Sequence, residues 1–334
     1  MAAAGSAQAE RRGTEEPEVT ESSYHTPIML SQVLELLSPE RCMATVDGTL
    51  GGGGHSEGIL ERLPAGAHHF GIDRDLDAIN AASERLSKYE GFHPIHGNFF
   101  DMKDILPLEE YGIQAVDGIL LDLGVSSHQL DDGSRGFSYG QEAPLDMRMD
   151  RTAPLSARDV VNGYDARKLF EIIRDYGEER FAYRIANAIA EAREKAPIET
   201  TTELAEIIKA AIPAPARREG PHPARRTFQA LRIEVNSELA GLAEAVKNAA
   251  MLLSPGGVMC VITFHSLEDR IVKNVFRELK DPCTCPPSAP ICICGKKPIA
   301  EILTPKPITA DEDELLSNPR ARSAKLRAIR RIHI

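Results

Sequence analysis

Four consecutive glycines, Gly51 to Gly54, stand between a short apolar run and a helix-like segment, and this placement constrains the 334-residue chain more than any other feature. Glycine reaches positive φ without a Cβ penalty and lets a ligand approach the backbone closely. A helix that starts directly after such a turn offers unpaired N–H groups to that ligand. Residues 43–46 read as a strand entering the turn and residues 56–63 as a helix leaving it. The turn is not G-x-G-x-x-G, because Ser56 takes the third glycine position counted from Gly51, and no lysine follows in Walker spacing. Taken alone, the turn also reads as a tight connection with no ligand.

The rest of the N-terminal third alternates. Apolar spacing predicts helices over 28–37 and 76–86 and strands over 68–72, 92–95 and 116–121. Strands alternating with helices imply a parallel sheet covered on both faces, with ligands bound at the carboxyl ends of the strands. Asp73 lies there, 19 residues after Gly54, near the ~20-residue offset of a carboxylate that accepts from ribose hydroxyls. Capping the helix that follows is its alternative role. The most apolar strand ends at Asp122, followed by a polar cluster through Ser126, Ser127 and Gln129 to Asp131. That carboxylate suits a charged ligand or a substrate amine, whereas the loop residues also satisfy ordinary turn geometry.

Strand signals vanish between Asp131 and Arg232, where residues 166–175, 178–194 and 202–212 have helical spacing. One long helix is predicted over 228–253 and a further strand over 258–264. The expected organisation is a disordered tail (1–23), an α/β domain in two pieces (24–131 and 233–334), and a helical insertion (132–232). The composition, 42% hydrophobic and 27% charged, is that of a globular protein. No apolar run approaches the ~20 residues of a membrane helix, and the N-terminus lacks the apolar core of a secretory signal, so a cytoplasmic protein is expected.

A formal charge of -11 argues against global attraction to nucleic acid and leaves local patches to make any such contact. Two patches are candidates. Arg217, Arg218, Arg225, Arg226 and Arg232 face only Glu219, and Arg320, Arg322, Lys325, Arg327, Arg330 and Arg331 crowd the C-terminus. Each is a candidate phosphate track or a solvated basic face. Six cysteines are too few for a disulfide scaffold. Cys283-x-Cys285 and Cys292-x-Cys294 offer four thiolates for zinc, but the usual C-x2-C spacing is absent; the expectation is free thiols in a loop and no metal.

Together the turn, Asp73 and Asp122 resemble an S-adenosylmethionine methyltransferase site, and the chain more narrowly resembles the RsmH (MraW) family. The blocks that carry the resemblance are Tyr24-His25-Thr26-Pro27, Asp47-Gly48-Thr49 through His55, Gly71-Ile72-Asp73-Arg74-Asp75, His96-Gly97-Asn98-Phe99, Leu120 through Ser127, Arg135-Gly136-Phe137-Ser138, Pro144 through Asp150, Thr227 through Arg232, Phe264 through Arg270 and Asn318 through Ser323. They span residues 24 to about 331. The family commonly has proline where this chain has His128.

The resemblance implies a Rossmann-like class I S-adenosylmethionine-dependent methyltransferase sheet with an inserted helical substrate-recognition domain. It implies methylation of the exocyclic N4 of a cytidine in the decoding region of 16S ribosomal RNA, with ribosomal RNA or the 30S particle as partner and neither DNA nor membrane. Its motifs assign Gly53, Gly54 and His55 to the cofactor turn, Asp73 to the ribose, Phe99 to the adenine, and Asp122 and Gln129 to the remaining cofactor contacts. Asp122 is also the expected catalytic acceptor for the amine, with Asp146 and His265 behind it, and Phe137 and Tyr139 are candidates to pack the base. A nicotinamide oxidoreductase, disfavoured by the glycine spacing, and a noncatalytic ribosome-binding factor are the competing readings.

Overall fold

The computed structural model describes residues 27–218, 220–286 and 291–332, and for residues 127 and 128 the backbone alone. The expected tail and Tyr24-His25-Thr26 lie outside the described residues, as do Glu219 and the His128 side chain. Seven strands form one sheet: β1 (Ala44–Asp47), β2 (His68–Asp73), β3 (Phe92–His96), β4 (Val116–Asp122), β5 (Leu253–Thr263), β6 (Ala300–Ile302) and β7 (Lys325–Arg331), in the order β3-β2-β1-β4-β5-β7-β6. β1 to β5 run parallel, and β7 pairs antiparallel with both β5 and β6. This is a Rossmann-like sheet with antiparallel pairing at one edge. The chain builds outward from β1 through β2 to β3, then returns to lay β4 on the other side of β1. The switch opens a crevice at the carboxyl ends of β1 and β4.

The central strands read as unbroken apolar runs because both faces are covered. On one face Ile119, Leu121, Met259 and Val261 pack with Val246 of the helix Leu242–Leu252 and Val272 and Phe276 of the helix Ser266–Lys280. On the other, Leu120, Cys260 and Ile262 meet Val33 and Leu37 of the helix Leu30–Leu37.

The insertion holds the helices Ala157–Gly163, Ala166–Asp175, Ala182–Arg193, Thr201–Ala211, Ala214–Arg217 and Arg225–Asn236. Its own apolar core is formed by Val160, Leu169, Ile173, Ile185, Leu204 and Leu231, among others. The long helix expected over 228–253 is instead two helices, Arg225–Asn236 and Leu242–Leu252, separated where Ser237 and Gly241 adopt left-handed φ of 51° and 89°. Apolar spacing runs through the break, so the pattern hid it. The first helix packs Phe228 and Val235 into the insertion core, so the boundary expected after Arg232 falls inside an element.

A second departure is β7. Its Lys-Leu-Arg-Ala-Ile-Arg-Arg sequence reads as a basic patch, yet Leu326, Arg327, Ala328 and Ile329 are buried in the sheet. Among the described residues no helix is long and apolar enough to cross a membrane.

Candidate active site

The crevice at the switch point opens into a cleft of about 740 Å³, walled by the exits of β1, β2 and β4, by the insertion, and by residues 264–268 and 318–323. At the end of β1, buried Asp47 accepts from Ser56 Oγ (2.8 Å) and the Thr49 amide (3.0 Å). Because Ser56 donates to Asp47, it accepts from His69 Nε2 (2.8 Å), and His69 Nδ1 then accepts from Thr45 Oγ1 (2.8 Å). The His69 ring is thus neutral; burial, with His93 nearby, pushes its pKa down to about 3, while burial pushes Asp47 up to about 6. This buried chain fixes the helix Gly54–Leu60 relative to the sheet.

The glycine turn is fastened from the next strand. Asp73 at the end of β2 accepts from the Gly51 amide (2.8 Å) and the Asp75 amide (2.9 Å). Burial still lifts its pKa to about 6. The helix-capping role is taken by Asp75, whose side chain accepts from the Asp77 amide. Gly48 has no room for a side chain: a Cβ would stand 2.5 Å from Leu121 Cδ2 and 3.1 Å from Phe99 Cβ. Phe99 and Phe100 pack edge to face, 4.8 Å between centroids, along the cleft beyond β3.

Asp122 ends β4. Its amide donates to Thr49 Oγ1 (2.6 Å), its Oδ2 lies 3.6 Å from His55 Nδ1, and its Oδ1 is buried with no hydrogen-bond partner among the described residues. A carboxylate oxygen left in that state is destabilised until a donor arrives. Burial pushes the Asp122 pKa up to about 6; His55 opposes the shift, and Asp47 and Glu268 add to it. His55 Nε2 is 2.9 Å from the Ile28 carbonyl, an acceptor only, so Nε2 carries a proton. Nδ1 therefore attracts Asp122 only when the pair holds one further proton.

Gly54, His55, Asp73, Phe99, Asp122 and Gln129 all line the cleft. Gly53 does not; at φ 76° it precedes the helix, and its missing Cβ clears Leu86 (3.1 Å) and Ala82 (3.3 Å). Gln129 is held from within: Nε2 donates to Asp75 Oδ2 (2.8 Å) and Oε1 accepts from the Ser126 amide (3.1 Å). The same Asp75 oxygen receives Arg135 Nη2 at 2.8 Å, in an ion pair whose side chains are 4% and 1% exposed. Arg135 also donates to the Arg148 and Met149 carbonyls, so this buried pair ties the insertion to the sheet. Sequence reading found Arg135 within a motif but missed its partner, since the two are 60 residues apart.

The opposite wall belongs largely to the insertion. Tyr139 stacks on His222 (4.5 Å, 7°) and meets Phe228 edge-on (5.7 Å, 84°); Phe137, Met149 and Arg225 complete this side. His265 is the N-cap of the helix Ser266–Lys280. Its Nε2 lies 3.0 Å from Glu268 Oε1 but is not aligned to hydrogen-bond. Asp146 is absent from the cleft lining and forks with Arg148 (2.7 and 3.0 Å), which holds its carboxyl below the ordinary range despite partial burial.

The C-terminal basic patch is mostly occupied and the other in part. Arg232 is forked on Glu238 (2.8 and 2.7 Å) and Arg226 donates to the Glu178 carbonyl. At the C-terminus Arg327 and Lys325 pair with Asp269, Arg330 with Glu301 and Arg320 with Asp131. Arg225 and Arg322 line the cleft with exposed side chains.

Comparison with known proteins fixes the lineage. The description of the MraW methylase family matches residues 22–332. The chain belongs to this family. Its members are methylases. A Clostridium botulinum protein named ribosomal RNA small subunit methyltransferase H is 54% identical over 308 residues, covering 92% of this chain and 99% of that protein. Proteins of the same name from Symbiobacterium thermophilum and Ruminiclostridium cellulolyticum are each 51% identical, covering 92% of this chain and 96% and 99% of their own lengths. Among solved structures, an rRNA methylase from Streptococcus thermophilus superposes with a TM-score of 0.37 at 10% identity, over 91% of this chain and 94% of that one. By its family and the relatives that share its length, this MraW-family chain is a methyltransferase.

Proposed function

We propose that this chain transfers a methyl group from S-adenosylmethionine to the exocyclic N4 of a cytidine in the decoding region of 16S ribosomal RNA. The observation that carries the reading is the buried, unpartnered Oδ1 of Asp122 at the switch point, between a glycine turn and an aromatic wall. The name shared by the relatives supports the RNA class.

The residues fit the cofactor. The turn from Gly51 to Gly54 and the amides behind it would receive its amino-acid end, together with His55 and Gln129. Asp73 uses one lone pair on each oxygen for the backbone, leaving the others for ribose hydroxyls, and Phe99 offers an apolar wall to the adenine. When bound, S-adenosylmethionine supplies a methyl group made electrophilic by its sulfonium.

The chain itself positions the nucleophile and manages its proton. The cytosine amine is poorly nucleophilic because its lone pair is delocalised into the ring. Asp122 Oδ1, accepting an N–H, turns that amine and helps it pyramidalise. Methyl transfer leaves the nitrogen a proton to shed; Asp122 would accept it, and His55 Nδ1, 3.6 Å from Asp122 Oδ2, or solvent would take it on. The base must leave its stack to reach this point, and Tyr139, Phe228 and Phe137 provide the surface that receives it. Arg225 and Arg322 lie where flanking phosphates would pass.

Nucleoside mass mapping of 16S RNA from cells with and without the protein tests the reading. The mapping is expected to find N4-methylation of one cytidine lost on deletion, restored by the wild-type chain and not by Asp122→Asn. A methyl group lost from a ribose, a ring carbon or another base would contradict it.

A further inference from the structure

Beyond the cleft, the loop joining the helix Ser266–Lys280 to β6 gathers the four cysteines that the sequence left as free thiols. Cys283 Sγ lies 3.6 Å from Cys292 Sγ and 3.8 Å from Cys294 Sγ, and Cys292 Sγ is 3.8 Å from Cys285 Sγ and 3.5 Å from Cys294 Sγ. All four sulfurs lie within 4.8 Å of one another. A tetrahedron with Zn–S distances of about 2.3 Å has sulfur–sulfur edges of roughly 3.8 Å. The observed spacing is therefore that of four ligands around one ion. It is too long for disulfides, whose S–S bond is about 2.05 Å.

Burial does not explain the cluster. Cys283 and Cys292 are exposed, and the loop's described residues form neither helix nor strand before Ala300. The loop is tied at its ends by Asp281 N–H to the Arg277 carbonyl and Ile299 N–H to the Leu279 carbonyl, both 2.8 Å. Between them it turns two strongly apolar side chains outward, Ile291 at 75% and Ile293 at 87% exposure. A loop with no apolar core needs another source of order, and a metal supplies it.

The backbone is arranged for thiolates. The Ile293 amide donates to Cys285 Sγ (3.3 Å). Gly295, at φ 66°, makes the bend that directly follows Cys294. Such N–H donors orient thiolate ligands and spread their charge. Lys296 and Lys297 follow directly in sequence and oppose the net negative charge of a tetrathiolate site.

We propose that Cys283, Cys285, Cys292 and Cys294 bind one zinc ion in a closed, structural site. None of the four lines the cleft. The site follows the C-terminal end of a 15-residue helix whose N-cap is in the cleft, so about 22 Å of helix separates the two. Four protein ligands leave no open position for chemistry; the ion staples the connection between the helix and the edge of the sheet. The shape does not suit an iron–sulfur cluster, because bridging sulfides push cysteine sulfurs farther apart than they stand here.

The test uses the full chain, expressed with zinc in the medium and purified under reducing conditions without chelator. Elemental analysis is expected to find about one zinc per chain, released as an organomercurial titrates the four thiols. Cobalt substitution is expected to give the intense sulfur-to-metal charge-transfer bands of a tetrahedral tetrathiolate. Cys285→Ser/Cys292→Ser is expected to lose the metal, and Cys42→Ser/Cys260→Ser, at the two remaining cysteines, to keep it. Circular dichroism on each variant separates metal loss from failure to fold. A folded wild-type chain that stays zinc-free after equilibration with excess zinc would overturn the proposal, as would bound iron in its place or disulfides among the four under reducing conditions.

Discussion

Charged side chains are buried in two regions of this molecule on opposite terms. At the strand exits, Asp47, Asp73 and Asp122 are each pushed up to about 6 by burial, and Asp122 keeps one oxygen without a donor among the described residues. In the insertion and along β7 the charges are matched: Arg135 with Asp75, Arg232 with Glu238, Arg327 with Asp269. The matched pairs define how elements dock. The unmatched oxygen stores an interaction that only a ligand completes, which is the signature of a site rather than a scaffold. The C-terminal basic run, suggestive of RNA in the sequence, turns out to be mostly paired within the fold.

Substitutions on the two sides should therefore fail differently. Asp122→Asn is expected to lower the methyl-transfer rate by roughly 10²- to 10⁴-fold while leaving the melting temperature unchanged or raised, because it removes an unfavourably buried charge. Single-turnover kinetics with thermal melts would check this; a melting temperature that fell with the rate would place Asp122 among the structural groups. Arg135→Ala is expected to do the reverse. Leaving Asp75 buried without its partner should destabilise the fold by about 3–5 kcal/mol, seen in urea unfolding.

The pH response separates the regions by window. Asp47, Asp73 and Asp122 have folded pKa values near 6 against 3.8 for the free group, so the folded chain binds their protons more tightly. These groups make the ligand-free protein more stable as pH falls from about 7 towards 4, and Asp122→Asn should reduce that gain. The paired Asp269 and Asp146 are held low; their stabilisation is present above 3.8 and is lost only below it. Activity should move the other way, failing as pH drops through about 6 when Asp122 becomes protonated. An acid limb near 4 in the rate profile would remove the case for a raised carboxyl. The smallest effect concerns RNA. Arg225→Gln and Arg322→Gln should each weaken binding and reduce the slope of log affinity on log salt by about 0.7, whereas Arg330→Gln, paired with Glu301, should leave the slope unchanged.

Much of this was legible in the chain. The glycine turn, the strands ending at Asp73 and Asp122, and the helical insertion follow from local periodicity and turn chemistry, and their order predicts a parallel sheet. What escaped depended on partners distant in sequence. Ser237 breaks a helix whose apolar spacing never falters, and β7 is a strand because Asp269 neutralises Arg327 58 residues away. The relay from Thr45 through His69 and Ser56 to Asp47 joins three elements. The cysteine loop departs from the common zinc spacing, so only the positions of its sulfurs show what they suit.

Calorimetric titration of the folded chain with S-adenosylhomocysteine tests the central claim, that the β1–β4 crevice is a cofactor site, most directly. The account predicts a saturable isotherm with one molecule bound per chain, weakened by Asp73→Ala and by Gly51→Val but not by Arg330→Gln. Absence of saturable heat from wild-type protein shown to be folded, across a range of temperatures, would contradict it.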